Sequence, residues 1–266
     1  MTLIVAIRCE DGVVLSADSQ ATFATAGLGQ QTIKQQTSKK LHIIRERFVL
    51  GVSGSIGLGQ SYESEISNRL RNKGGSKARF GTVADAKKFF SEAMWEHAKT
   101  AWEHANLAVH SIGQAAIQEA AHGAVVALPV ADSPCLIQFT QLCQPEEANA
   151  ELPFLSIGSG QPVADPFLSF LRRILWPDRM PTVSDGILAA LWTVTHTIQA
   201  QPELVSEPIQ VVTLRKYGGE WQAHELSKGD LGEPYQAIEA MEEELRTVRE
   251  IFSAQPTSPM PDKQAE

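Results

Sequence analysis

Short apolar runs and longer helical stretches come in blocks along this chain, and the order of the blocks limits what it can fold into. Residues 2–8 (TLIVAIR) and 13–17 (VVLSA) are apolar runs, and "KKLHII" with "FVLGVS" suggests a second pair over 40–53. Helical patterns follow at 60–71 and from a Thr82 cap to about His110, with a second piece through Ala121. Residues 123–130 (GAVVALPV) and 135–140 (CLIQFT), around an Asp132–Pro134 turn, read as strands, with a third at 152–157. Helices at 161–175 and 184–199 and strands at 209–215 and 221–226 complete the series. Segregated blocks of this kind favour α+β layers over a doubly wound βαβ fold. Two central antiparallel sheets flanked by helices fit the order.

The first two runs flank Glu10-Asp11-Gly12, and Asp-Gly between β-rich runs is a strong hairpin signal because glycine tolerates positive φ. Residues 19–38, rich in Gln, Thr, Ala and Gly, read as a loop. Residues 233–252 form a last helix of a different kind. Ile238, Met241, Leu245, Val248 and Phe252 make a narrow, heptad-like stripe on a helix otherwise full of Glu and Arg. Such a stripe docks either on its own subunit or on a partner. The expected organisation is one domain over 1–228, a C-terminal helical extension over 229–253, and a disordered tail over 254–266 in which Pro256, Pro259 and Pro261 fall.

The formal net charge of −8 argues against nucleic acid or an anionic membrane as default partners. Cys9, Cys135 and Cys143 form no CxxC pair, and this odd, sparse set fits a reducing compartment better than a disulfide framework. No signal peptide or membrane-spanning apolar run is evident, so a soluble cytoplasmic protein is expected.

Most catalytic motifs are missing. His97 and His104 share a helix face but sit about 10.5 Å apart along its axis, too far for one metal ion. Gly54, Gly57 and Gly59 have GxxGxG spacing, not the dinucleotide pattern, and no GK[ST] occurs. Neither Ser53 nor Ser159 lies in a GxSxG elbow. No cofactor and no metal are expected. The N-terminus remains. Removal of Met1 would leave Thr2 with a free α-amine, whose reference pKa of about 8 leaves a useful neutral fraction at pH 7. One residue would then supply both a hydroxyl nucleophile and its base.

The stretch "TLIVAIRCEDGVVLSADSQAT" resembles the N-terminal signature of proteasome β-type subunits: a threonine, two strands around Asp-Gly, then A-D-S-x-A-T. Asp18 falls at the family's acidic position. "QTSKKLHII…FVLGVSGS" is similar to the next landmark, with Lys40 as the matching lysine and Gly54 as the turn glycine. The loop before Lys40 is longer than usual, which makes Lys34 a rival. "LSIGSGQ" matches the family's G-S-G turn at Ser159. "PELVSEPIQVVTL" offers Glu203 and Ser206 where the family has Asp and Ser, and Glu207-Pro208 replaces the usual Gly-Gly. The resemblance spans roughly residues 2–226. Among relatives, the chain is most like the bacterial proteasome homologues, and its long acidic C-terminal helix favours the one described from betaproteobacteria.

The resemblance implies a four-layer αββα sandwich and an N-terminal nucleophile hydrolase, a threonine-type endopeptidase. In it Thr2 attacks, Lys40 held by Asp18 supplies the cation, Gly54 the oxyanion N–H, and Ser159 a bond to the amine. Ala21, Ser38, His42 and Val52 match positions lining the first substrate pocket. Stacked homo-oligomeric rings, seven-fold favoured over six-fold, are implied, with unfolded polypeptides as substrates and an ATPase unfoldase as a possible partner. A non-catalytic ring subunit, a small-molecule N-terminal nucleophile amidase and a binding module without catalysis are the alternatives.

Overall fold

The computed structural model describes residues 2–25 and 32–254. One five-stranded antiparallel sheet is built from β1 (Leu3–Arg8), β2 (Gly12–Ala17), β10 (Phe154–Gly158), β11 (Gln210–Tyr217) and β12 (Glu220–Glu225), in the order β10-β1-β2-β11-β12. The other contains β5 (Leu41–Ile44), β6 (Phe48–Ser53), β7 (Gly123–Val130), β8 (Ser133–Phe139) and β9 (Pro145–Glu147) in chain order. Helices α1 (Ile56–Asn72) and α2 (Val83–Ile112) cover the second sheet, with the short α3 (Ala115–Ala120) against α2. Helices α4 (Gln161–Leu175) and α5 (Val183–Ala200) cover the first, and α6 (Gly232–Ala254) packs on α5. The result is the αββα sandwich expected from the block order.

Three stacked cores explain the composition of the strands. In β1, Leu3, Val5 and Ile7 face the helices while Ile4 and Ala6 face the opposite sheet. A strand's side chains alternate faces, so one buried on both faces must be apolar at every position. The same holds for most of β2, where Val14 joins the helical core and Val13, Leu15 and Ala17 the inter-sheet core, with buried Ser16 as the polar exception. Thr82 caps α2 as expected, accepting from the Asp85 N–H.

Several local readings change. The segment read as a loop at 19–38 contains a two-stranded ribbon, β3 (Gln20–Thr25) with β4 (Thr32–Thr37). Its polar sequence gives no apolar alternation to read as a strand. Gly12 lies outside the left-handed region, contrary to the turn argument. A Cβ on Gly12 would instead run into the Leu214 carbonyl and the Val183 side chain, so glycine serves close packing against β11 and α5. Asp11 accepts from the Val183 N–H and so ties the hairpin turn to the start of α5. The β7–β8 turn sits at Ala131 and Asp132, both at positive φ, and Pro134 lies inside β8.

The stripe on α6 divides. Ile238 and Met241 pack on the body of the chain, whereas Leu245 and Val248 are exposed. The side chain of Phe252, the side chain of Lys34 and the expected tail from residue 255 lie outside the described residues. Among those described, no helix is long and apolar enough to cross a membrane.

Candidate active site

Thr2 precedes β1 and is almost wholly buried. Its backbone is held by the turn after β10. The Thr2 N–H donates to Ser159 Oγ at 3.1 Å, and the Thr2 carbonyl accepts from the Gly160 N–H at 3.3 Å. The Ser159 hydroxyl also reaches that carbonyl, at 3.3 Å. The Thr2 nitrogen here is the amide of the Met1–Thr2 bond, and it stands where an α-amine would be once Met1 is removed. The two glycines of G-S-G have separate reasons. Gly158 is at φ +101°, and a Cβ there would overlap the Thr2 carbonyl. A Cβ on Gly160 would lie 3.0 Å from Leu3 Cβ and 3.1 Å from Thr197 Cγ2. Only a turn without side chains can press this closely on the N-terminal strand while presenting a serine between. Gly158→Ala is therefore expected to cost more than about 2 kcal/mol and to displace Thr2. A thermal melt checks this, and an unchanged melting temperature would refute it.

Asp18 follows β2 and is fully buried. Its Oδ1 accepts from the Leu3 N–H and from Lys40 Nζ, both at 2.7 Å, and its Oδ2 accepts from the Gln20 N–H at 3.0 Å. The lysine comes from the other sheet, just before β5, and its side chain is 6% exposed. Burial pushes the Lys40 ammonium below its ordinary pKa, and the Asp18 carboxylate opposes that shift. One carboxylate oxygen thus joins a cation to the residue next to Thr2.

Gly54 closes β6 at φ +108°, and a Cβ there would sit 2.6 Å from the Ala121 carbonyl oxygen and 3.0 Å from His122 Cβ. A cleft of about 750 Å³ opens beside Thr2, with Gly54, His122, Gln138 and Ser159 in its wall. Of the residues expected in the first substrate pocket, Ser38, His42 and Val52 do not line it. His42 Nδ1 lies 2.9 Å from Glu63 Oε2 on α1. Burial lowers the His42 pKa, and the Glu63 carboxylate works against that. Val52 is buried and faces Gly59 of α1. Ser38 is half-buried, its N–H donating to the Ser19 carbonyl at 2.8 Å. The Ala21 side chain lies outside the described residues. Glu203 is exposed in the loop after α5, and Ser206 reaches the site through its backbone, its carbonyl accepting from the Ser19 N–H at 3.2 Å.

His122 carried no signal in the sequence. Its Nδ1 lies 2.9 Å from the Ala120 carbonyl, so that nitrogen must donate. Its Nε2, 2.8 Å from the Tyr62 hydroxyl, then accepts. Burial lowers the ring's pKa. Both nitrogens are spent within the fold, so His122 shapes the wall and is no base for Thr2. The three cysteines are buried, and burial raises the pKa of each, Cys135 to about 12, which leaves no thiolate nucleophile.

The proteasome subunit family model matches residues 2–113, a stretch that contains Thr2, Asp18, Lys40 and Gly54. Over that N-terminal part the chain is similar to proteasome subunits. Anbu proteins share its fold over nearly the whole length. A Gly-1 mutant of Anbu from Hyphomicrobium sp. strain MC1 is 19% identical, covers 98% of this chain and 100% of its own, and superposes with a TM-score of 0.67. Anbu from Yersinia bercovieri, described as an ancestral β-subunit, is 18% identical with coverage of 97% and 100% and a TM-score of 0.67. A helical assembly of the Anbu complex from Pseudomonas aeruginosa gives 20%, 98% and 99%, and 0.68. Because these matches cover almost the full chain, the long C-terminal helix does not set it apart from Anbu. Among curated proteins, none matches the sequence.

Proposed function

We propose that this chain is a threonine peptidase of the proteasome type, active once Met1 has been removed. The observation that carries the reading is the Asp18 Oδ1 atom, shared between the Leu3 N–H and the Lys40 ammonium at 2.7 Å each. This contact fixes a cation in a dry site at the base of the N-terminal strand. A cation there favours the neutral form of the Thr2 α-amine and stabilises a developing alkoxide.

The Thr2 hydroxyl gives its proton to the α-amine, directly or through water, as Oγ attacks the peptide carbonyl. The Gly54 N–H stabilises the tetrahedral oxyanion, a role worth roughly 2.7–4 kcal/mol in acyl transfer. Collapse breaks the C–N bond, and the proton passes from the amine of Thr2 to the leaving amine. Water then cleaves the ester and regenerates Thr2. Ser159, already bonded to the Thr2 nitrogen, holds the amine in place. Glu203 and Ser206 remain candidates for the same cluster, with Ser206 the better placed of the two.

The substrates are unfolded polypeptides, cleaved in the cytoplasm inside a homo-oligomer whose sites face a shared chamber, with an ATPase unfoldase supplying chains. The family supports self-assembly, and the Pseudomonas relative is described as a helical assembly. Seven-fold stacked rings are the form expected from the wider family. Residues 1–228 act as the hydrolase domain and 229–253 as an appended helix. Intact mass of the purified protein tests the first step. Loss of Met1 together with hydrolysis of a denatured protein supports the reading, and hydrolysis by a chain that retains Met1 refutes it.

A further inference from the structure

Lys40 comes from one sheet and Asp18 from the other, so the pair depends on how the two sheets are registered at this edge. The backbone just before β5 presents a problem there. Among the described residues β5 is the edge strand of its sheet, and no strand lies beside the outward N–H of its first residue, Leu41. Gln210 supplies the partner. It opens β11 of the other sheet, opposite Ala17 in the ladder and thus one residue from Asp18. Its Oε1 accepts from the Lys40 N–H at 3.0 Å and from the Leu41 N–H at 3.3 Å, and its Nε2 donates to the Ser38 carbonyl at 3.1 Å. A single carboxamide therefore grips the chain on both sides of Lys40 from the strand beside Asp18.

We propose that Gln210 is a positioning residue for the peptidase site: it fixes the Lys40 backbone so that the ammonium stays on Asp18 beside Thr2. The inference rests on the role given to Lys40 above. It makes Gln210 the clamp between the two halves of the ion pair, without contact to substrate.

The test is Gln210→Met, which keeps the length of the side chain and removes all three hydrogen bonds. Peptide hydrolysis is measured as kcat and KM across pH. A wandering Lys40 no longer holds down the pKa of the Thr2 amine, so the acid limb of kcat/KM moves to higher pH. The other ionisable groups beside Thr2 are Asp18, bonded to the Leu3 N–H, and His122 in the cleft wall, and the Gln210 side chain bonds to neither. The expected result is a fall in kcat of about 10- to 100-fold with KM little changed, and a limb raised by about half a unit or more. Gln210→Asn, whose amide is too short to make all three bonds, is expected to shift the limb in the same direction by less. It carries the test if Gln210→Met does not fold. An unmoved limb overturns the proposal even if the rate falls, because a purely structural loss lowers the amplitude alone. Lys40→Met separates the two levels. If it is inactive while Gln210→Met keeps the wild-type rate and limb, only the role of Gln210 fails. If Lys40→Met is fully active, both readings fail.

Discussion

Thr2→Ala is expected to lower peptide hydrolysis by at least about a thousandfold while leaving the fold intact. The two halves of this expectation come from different atoms. In the proposed mechanism activity depends on Thr2 Oγ, which the substitution removes. Placement depends on the Thr2 backbone, whose N–H and carbonyl are held by Ser159 and Gly160, and the substitution leaves both bonds in place. A melting temperature within a few degrees of wild type should therefore accompany the loss of turnover. A Thr2→Ala protein that cleaves peptides at the wild-type rate would show that the nucleophile lies elsewhere.

Asp18→Asn should be the most costly of these substitutions for stability, and it should lower activity as well. The carboxylate is fully buried and accepts three donors, one of them a charged lysine. Breaking a buried ion pair from one side leaves an uncompensated charge and costs about 3–5 kcal/mol. Asparagine keeps an acceptor for one or two N–H groups, which puts the expected loss near about 3 kcal/mol. Lys40, whose pKa burial already lowers, loses the carboxylate that opposes the shift. It then sheds its proton, and the site loses its cation, with a fall in kcat/KM of about a hundredfold or more. The sign with pH follows. The unfolded lysine titrates near 10.5 and the folded one lower, so between the two values the unfolded chain binds more protons and stability rises with pH. The deficit of Asp18→Asn against wild type should therefore shrink as pH climbs from 7 toward 10. Denaturant melts at several pH values measure it, and a deficit that stays constant would mean that Lys40 is not the buried partner.

The sandwich was legible because strands buried on both faces must be largely apolar, as β1, β2 and β7 are. Glu10-Asp11-Gly12 gave the first hairpin correctly and its glycine for the wrong reason, since packing against Leu214 and Val183 is a tertiary demand with no local signature. The β3–β4 ribbon was illegible because its Gln and Thr residues carry no amphipathic period. Within the site, Thr2, Asp18, Lys40 and Ser159 could be read from motif order, and the structure brings them together. Gln210 and His122 could not. Gln210 acts through a side-chain amide on backbone groups 170 positions away, and His122 through a buried bond to Tyr62. Neither contact leaves a trace in spacing. The half-exposed stripe of α6 shows the same limit, because periodicity cannot say where a helix leaves the body that it packs on.

The central claim is that Thr2, freed of Met1, is the nucleophile. Intact mass before and after treatment with a peptide epoxyketone tests it most directly, since that warhead needs a hydroxyl and an α-amine on the same residue to close its ring. The account predicts a chain lacking Met1 that gains one inhibitor mass on Thr2 and loses activity in proportion, with no adduct on Thr2→Ala. An active chain that keeps Met1, or an adduct that forms equally on Thr2→Ala, would contradict it.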